Sequence, residues 1–464
     1  MRLDEGRWIL GGGLDREWAW VGRERALAAA RALRDAARAA RGRAPAGVRA
    51  RAYGRGFDYV LALKGRERAR LLAQPALDYW LHLWERHFSR PVSEDDWHLQ
   101  LGLFQGFAAS AALGARRPLR LDAACDPDGR FHFHGSPHYL EFDAPPPGRR
   151  FTLRLEPESV RVEAPGLSRS WPRSDFDGEP AADGGARVRL RRSPRVADGI
   201  IVEDRSWLMV HGVTMHGLAR LDGEPAERFS RVLREALEAM RERDPALHAE
   251  LTDMIKALIP LVNSESHGSV SSSYMNLKGA IALSHSEDPL LQAETLIHEF
   301  CHQKMNQLLA ADPILLPGQS GQVFYSPWRP DARRLRGLLL GAHAFLNVAR
   351  YLARSLAREA RPEAEEIEIM VNVARRVNQV DLALRAVAGY ASLTEFGRRF
   401  VLGMWRELAL LQHAVLWFPP ALLAEQRAAC EEHRRRFGLS DTGFHRGAGL
   451  VDGVPRAAFQ APKP

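Results

Sequence analysis

The chain has 464 residues, 45% of them apolar, which is more than one hydrophobic core usually organises and enough to fill two or three. Its formal charge of +8 comes from 65 basic and 57 acidic residues, but only five of the basic residues are lysines and the two signs are interleaved, as in Arg241, Glu242, Arg243 and Asp244. Such mixing reads as a solvated surface and argues against a nucleic-acid partner. No apolar stretch approaches the roughly 20 uninterrupted residues of a membrane span. The first residues carry acids and the run Gly11, Gly12, Gly13 where a secretory signal would need a basic and then an apolar region. Cys125, Cys301 and Cys430 are odd in number and far apart. A disulfide framework or CxxC metal knuckle is therefore not expected, and a reducing, cytoplasmic location is.

In chain order, residues 16–41 are rich in Ala, Arg and Leu, with Trp20, Leu27, Ala30 and Leu33 at helical spacing. Pro75 opens a second helix through Trp84, and Ser93 before Glu94, Asp95 and Asp96 marks the acid-rich start of a third. From Arg117 to about His216 the period changes to short alternating runs such as 151–155, 160–162 and 188–190, divided by Pro, Gly and Asp turns. Helical signals return after Glu224, with Phe229, Val232, Leu233, Leu237 and Met240 in one stripe. A polar loop and short strand around 269–283 interrupt them before a helix that starts near Asp288 and Pro289. The expected fold class is α+β, predominantly α-helical, with a helical HExxH metal-binding core and a β-rich insert or subdomain. The expected divisions are 1–115 (helical), 116–216 (β-rich), 217–436 (helical, catalytic) and 437–464 (a loose tail).

The sharpest motif is His298-Glu299-Phe300-Cys301-His302. Histidines four apart on a helix face one direction and can grip a single ion, and Leu296, Ile297 and Phe300 supply the apolar setting. The usual reading of HExxH is a zinc peptidase in which Glu299 polarises a metal-bound water. The extended pattern fails, since Met305 and Leu308 stand where it needs Gly and a third His. The acids at 363, 365, 366 and 368 lie in a charge run that reads as a solvated face. His343 stands in an apolar helical segment, 41 residues after His302, and an imidazole there needs a polar partner. A metal would be one and a protein hydrogen bond another, so His343 is the candidate third ligand, with His413 in reserve.

Three segments, 294–309, Tyr325-Ser-Pro-Trp-Arg-Pro-Asp-Ala-Arg333 and Gly337-Leu-Leu-Leu-Gly-Ala-His-Ala-Phe345, resemble the HExxH-motif peptide-modification proteins of ribosomal peptide natural product pathways. The likeness runs from about Leu71 to Leu411, with weaker echoes at 259–261 and 393–397, and departs from the family pattern at Arg334 and Leu340. It implies a 2-oxoglutarate-dependent peptide β-hydroxylase. Fe(II) would be held by His298, His302 and a third histidine, with 2-oxoglutarate and molecular oxygen as cosubstrates and a ribosomal precursor peptide as substrate. Three protein ligands leave coordination positions for such cosubstrates, and imidazole suits iron as well as zinc. Glu299 would then orient a ligand or a bound water. The distal carboxylate of 2-oxoglutarate calls for a guanidinium fork, for which Arg329 and Arg333 are the candidates, each equally able to be a structural ion-pair partner.

A second histidine group, His132 and His134 with His138 and Glu141 nearby, puts two imidazoles on one face of a predicted strand. It reads as an HxH iron site of barrel type or as an ordinary strand with polar residues on one side. Two rivals stand beside the oxygenase: an atypical zinc peptidase and a metal-free scaffold of a modification complex.

Overall fold

The computed structural model describes residues 15–438 except 46–47, 49–52, 88–92, 179–185, 198, 215, 263–269, 318–321 and 357–361, together with 444–445; side chains are described from residue 26 on, His87, Pro147 and 444–445 excepted. The Gly11–Gly13 run and the expected tail beyond 450 lie outside the described residues, as does most of the 175–185 loop. The chain divides into two compact units. Of the described residues, one holds 23–236 and 252–292, the other 15–22, 237–251 and those from 293 on. The protein is mixed α and β, and predominantly helical. No helix among the described residues is long and apolar enough to cross a membrane.

In the first of these units the helices α1 (Asp15–Arg43, from Arg23 on), α2 (Tyr53–Ala62), α3 (Gly65–Leu72), α4 (Pro75–His87) and α5 (Glu94–Gly114) precede the strands. Helix α4 opens at Pro75, whose missing N–H belongs to the unsatisfied first turn in any case. Helix α5 opens on a reciprocal cap, the Ser93 hydroxyl accepting from Asp96 N–H while the Asp96 side chain accepts from Ser93 N–H. Aromatic rings join these helices. Phe57 stacks on Phe104 at 4.0 Å between centroids, and fully buried Trp80 donates from Nε1 to the Gln100 carbonyl at 2.9 Å.

Strands β1 (Leu119–Ala124), β4 (Arg150–Leu155), β5 (Ser159–Ala164) and β6 (Leu167–Pro172) form an antiparallel sheet in that order. Strands β2 (Arg130–His132), β3 (His138–Phe142) and β7 (Val188–Arg192) form another. Two glycines let α5 lie on both. A Cβ on Gly102 would come 2.4 Å from the Ala124 Cβ, and one on Gly106 would come 2.2 Å from the His132 carbonyl oxygen. Arg173, just after β6, spends its guanidinium on the carbonyls of Ala112, Leu113, Arg117 and Glu156, closing the end of α5 onto the sheet.

A third sheet has the order β11 (Ser271–Ser272), β12 (Ala280–Ser284), β10 (Ala257–Leu261), β9 (Ile200–Val202), β8 (Arg195–Ala197), and its strands β9, β10 and β12 run parallel. The strand at 280–284 fits the expectation, but the one at 257–261 falls where helix is expected. Its five residues are all buried, and so short an apolar run carries no period that separates strand from helix. Pro260 is tolerated there because β9 pairs only with Ala257 and Leu258. Short helix α6 (Trp207–Gly212) follows β9, and α7 (Gly223–Arg243) and α8 (Pro245–Met254) lead to β10.

The other unit is built on α9 (Pro289–Ala311), α10 (Leu335–Leu356), α11 (Glu363–Tyr390), α12 (Glu395–Val415) and α13 (Pro420–Phe437), with a small ladder of β13 (Val323–Phe324) and β14 (Phe444–His445). Leu338, Leu339, Ala342, Ala349 and Leu352 on α10 are buried, as are Val373, Val380, Leu384 and Val387 on α11, the pattern of two helices packed along their length. Lys304 of α9 is buried in an ion pair with Glu250 of α8, and Arg354 of α10 pairs with buried Asp244.

Candidate metal centre

The motif helix α9 starts where Asp288 Oδ1 accepts from Leu290 N–H at 2.8 Å, one residue before Pro289. Leu296, Ile297, Phe300, Cys301, Met305 and Leu308 are fully buried, so apolar residues anchor the helix on more than one face. His298 and His302 stand one turn apart with their rings edge to face, and their Nε2 atoms are 3.0 Å from each other. Two nitrogens bonded at about 2.0–2.1 Å to one divalent ion are spaced roughly 3.0–3.4 Å, so the pair fits two neighbouring positions on such an ion. Burial pushes both imidazoles below their ordinary pKa, helped at His298 by His302 and by Arg376. Neutral imidazole is the form that ligates. His302 Nδ1 is buried without a hydrogen bond among the described residues, and Glu299, next to His298 in the motif, is 4% exposed.

On α10 Phe345 meets the pair, its ring 4.7 Å from that of His298. His343 is buried and packs on Phe400 of α12, with ring centroids 5.5 Å apart. Positions two apart on a helix differ by about 200°, so one face cannot present both side chains. Among the described residues no third His, Cys, Asp or Glu converges with His298 and His302 into a metal-ready group. The expected third ligand is thus not brought to the pair, and His413, the reserve, is an exposed residue in the last turn of α12.

Phe345 carries a second contact. The Arg376 guanidinium of α11 lies over its ring at 4.2 Å from the centroid. Burial lowers Arg376 to about 10, with Arg375 acting the same way and Glu294 opposing, which leaves it charged at neutral pH. Its Nε has no hydrogen-bond partner among the described residues. Trp328 closes the group, its ring 5.3 Å from Phe345. The indole lies so near α10 that a Cβ on Gly341 would come 2.2 Å from its Cζ2. Imidazole pair, aromatic platform and buried cation therefore form one contiguous patch.

Arg329 and Arg333 both meet Asp331, and Arg333 Nε is a buried atom without a hydrogen bond among the described residues. Arg329 Nε contacts Asp331 Oδ1 at 2.9 Å and Arg333 Nη2 contacts Oδ2 at 2.8 Å, so one carboxylate holds both ends of the turn that carries Trp328. Arg376 is a buried cation beside the pair that the sequence reading did not single out. It falls on the α11 stripe of Ile369, Val373, Val377, Val380 and Leu384, and a charge at an apolar stripe position is a signal that a sequence carries.

The strand histidines are placed differently. His132 and His134 do share one side, their rings stacked 6.1 Å apart at 14°. The unpartnered Nε2 of His132 faces Asp126 Oδ2, itself without a hydrogen bond, at 4.0 Å. Burial lowers His132 well below its ordinary range and His134 to about 3, and raises fully buried Asp126 to about 7. Glu203 is likewise raised to about 7 by burial while accepting from the N–H groups of Arg205 and Ser206. No three metal-ligating groups converge there among the described residues.

No protein-family model matches the sequence, and no curated protein matches it either.

Proposed function

We propose that the protein is an Fe(II)- and 2-oxoglutarate-dependent oxygenase that hydroxylates a side-chain β-carbon of a ribosomally made peptide. One observation carries the reading: a convergent imidazole pair and a buried, charged guanidinium share the Phe345 ring. A cosubstrate with a carboxylate at each end needs such a cation beside the metal.

In this reading His298 and His302 hold the ion as neutral imidazoles. Bound iron supplies the capacity to turn oxygen into an oxidant for a C–H bond. Arg376 takes the distal carboxylate through its planar fork, and Phe345 keeps that fork in position while its apolar face excludes water from beside His298. Glu299 orients a ligand or a bound water. Arg329 and Arg333, paired with Asp331, hold the Trp328 turn in place.

The test is an anaerobic titration of the Fe(II)-loaded protein with 2-oxoglutarate, following the visible charge-transfer band that chelation produces. The expected result is a saturating band that His302→Ala abolishes. Arg376→Gln should keep the metal and weaken 2-oxoglutarate by roughly ten- to a hundredfold, the equivalent of losing about 1.5–3 kcal/mol of charged hydrogen bonding. No band, combined with tight zinc retention and peptide cleavage that Glu299→Gln eliminates, would establish the peptidase instead.

A further inference from the structure

A cavity of about 340 Å³ opens between α3, the end of α5 and the turn joining β2 to β3. It shares no residue with the HExxH patch and lies wholly within the other unit. Its size is at the low end for small-molecule sites. Phe107, Phe176 and Leu71 give it apolar walls, and four arginines against Glu67 and Asp177 give it a positive balance.

The arginines are not equivalent. Arg173 is consumed by four backbone carbonyls, which also quenches the negative end of α5 inside the cavity. Arg116 pairs with Asp177 at 3.3 Å. Arg70 and Arg195 have no ion-pair partner among the described residues and stand exposed at the rim.

The wall also holds His134, which is 8% exposed. Its ring touches Phe107 at 4.4 Å and His132, but neither of its nitrogens has a hydrogen bond within the described protein. A neutral imidazole offers one donor and one acceptor, which a ligand in the cavity could use. The turn beside it is shaped to keep the space. Gly135 has φ +93°, and a Cβ there would come 2.9 Å from the Gln74 amide carbon.

We propose that this cavity is a binding site for a small organic carboxylate with an apolar body, the carboxylate at Arg70 and Arg195, the body between Phe107 and Phe176, and a polar group on His134. The site is independent of the proposed oxygenase chemistry. An inorganic anion would use the rim alone and leave both the aromatic walls and His134 without a role.

Calorimetric titration of the full chain with N-acetylphenylalanine, its carboxamide and inorganic phosphate tests this directly. The acid should bind saturably and the carboxamide and phosphate at least tenfold more weakly. Arg70→Gln with Arg195→Gln, and separately His134→Phe, should each weaken the acid at least tenfold at unchanged thermal midpoint, while His302→Ala leaves it unaffected. Absence of saturable binding by the acid overturns the proposal, as does binding that the rim variants leave intact. Equal affinity for phosphate would overturn the organic ligand and leave an anion site only. If His134→Phe does not fold, His134→Gln replaces it, with the same expected loss.

Discussion

Two pairs of histidines share a face in this protein, one on a helix and one at the end of a strand, and they do opposite things with their nitrogens. On α9 a spacing of four brings His298 and His302 edge to face with Nε2 atoms 3.0 Å apart. After β2 a spacing of two stacks His132 and His134 nearly parallel at 6.1 Å, and His132 turns its Nε2 to Asp126. A common face follows from periodicity alone. A metal site needs the rings turned toward a common point, and here the helix supplies that while the strand does not.

The sharpest way to break the contrast is to remove one imidazole from each pair. His302→Ala should take bound iron or zinc from about one equivalent to near zero by elemental analysis of the purified protein, since a lone imidazole does not hold a divalent ion. His132→Ala should leave metal content unchanged. His343→Ala should also leave it unchanged while lowering the thermal midpoint, because a buried ring on Phe400 is lost. Loss of metal from that variant would restore His343 as a ligand.

The platform beneath the helical pair is the next target. Gly341→Ala sets a methyl group against the Trp328 indole, which cannot give without moving Phe345. Overpacking of this kind costs about 1–3 kcal/mol, and denaturant unfolding should read it.

A subtler test uses protons. Asp126 and Glu203, raised to about 7, contribute stability that is fully present below their unfolded pKa and is lost as pH rises through 7. His132 and His134, lowered by burial, contribute stability that is present above pH 6.5 and lost as pH falls toward 3. The two sets oppose each other between about pH 4 and 6.5. Asp126→Asn leaves the histidine contribution less opposed, so its thermal midpoint should fall more steeply than that of the wild type on acidification through that window. Equal slopes would show that Asp126 does not titrate as its burial requires. Smallest of all, Ser93→Ala should cost about 1 kcal/mol through the cap of α5 alone and move neither metal nor ligand binding.

What the sequence discloses and what it hides follow from range. Pro75, the Ser93 cap and the Pro289 start are local chemistry, and each helix begins where its signal stands. The alternation in 151–155 and 160–162 likewise yields β4 and β5. The parallel pairing of 257–261 with 280–284 is decided by partners some twenty residues away, and nothing in either run encodes it. At the candidate metal centre the helical pair is legible because both histidines sit in one turn. The side chains that surround the pair come from α10, α11 and the Trp328 turn, so that Phe345 and Arg376 lie beside it depends on helix rotation, which no single segment encodes.

Arg173 ties three separated stretches of backbone through one planar group. Cys125, Cys301 and Cys430 are all free and buried, so no sulfur bond joins distant parts of the described chain. The guanidinium serves as a cross-link in its place. Its hold comes from fixed charge and five donors in a rigid plane, so neither a reductant nor an oxidant can unfasten it. The join between α5 and its sheet is therefore indifferent to the redox state of whatever surrounds the protein.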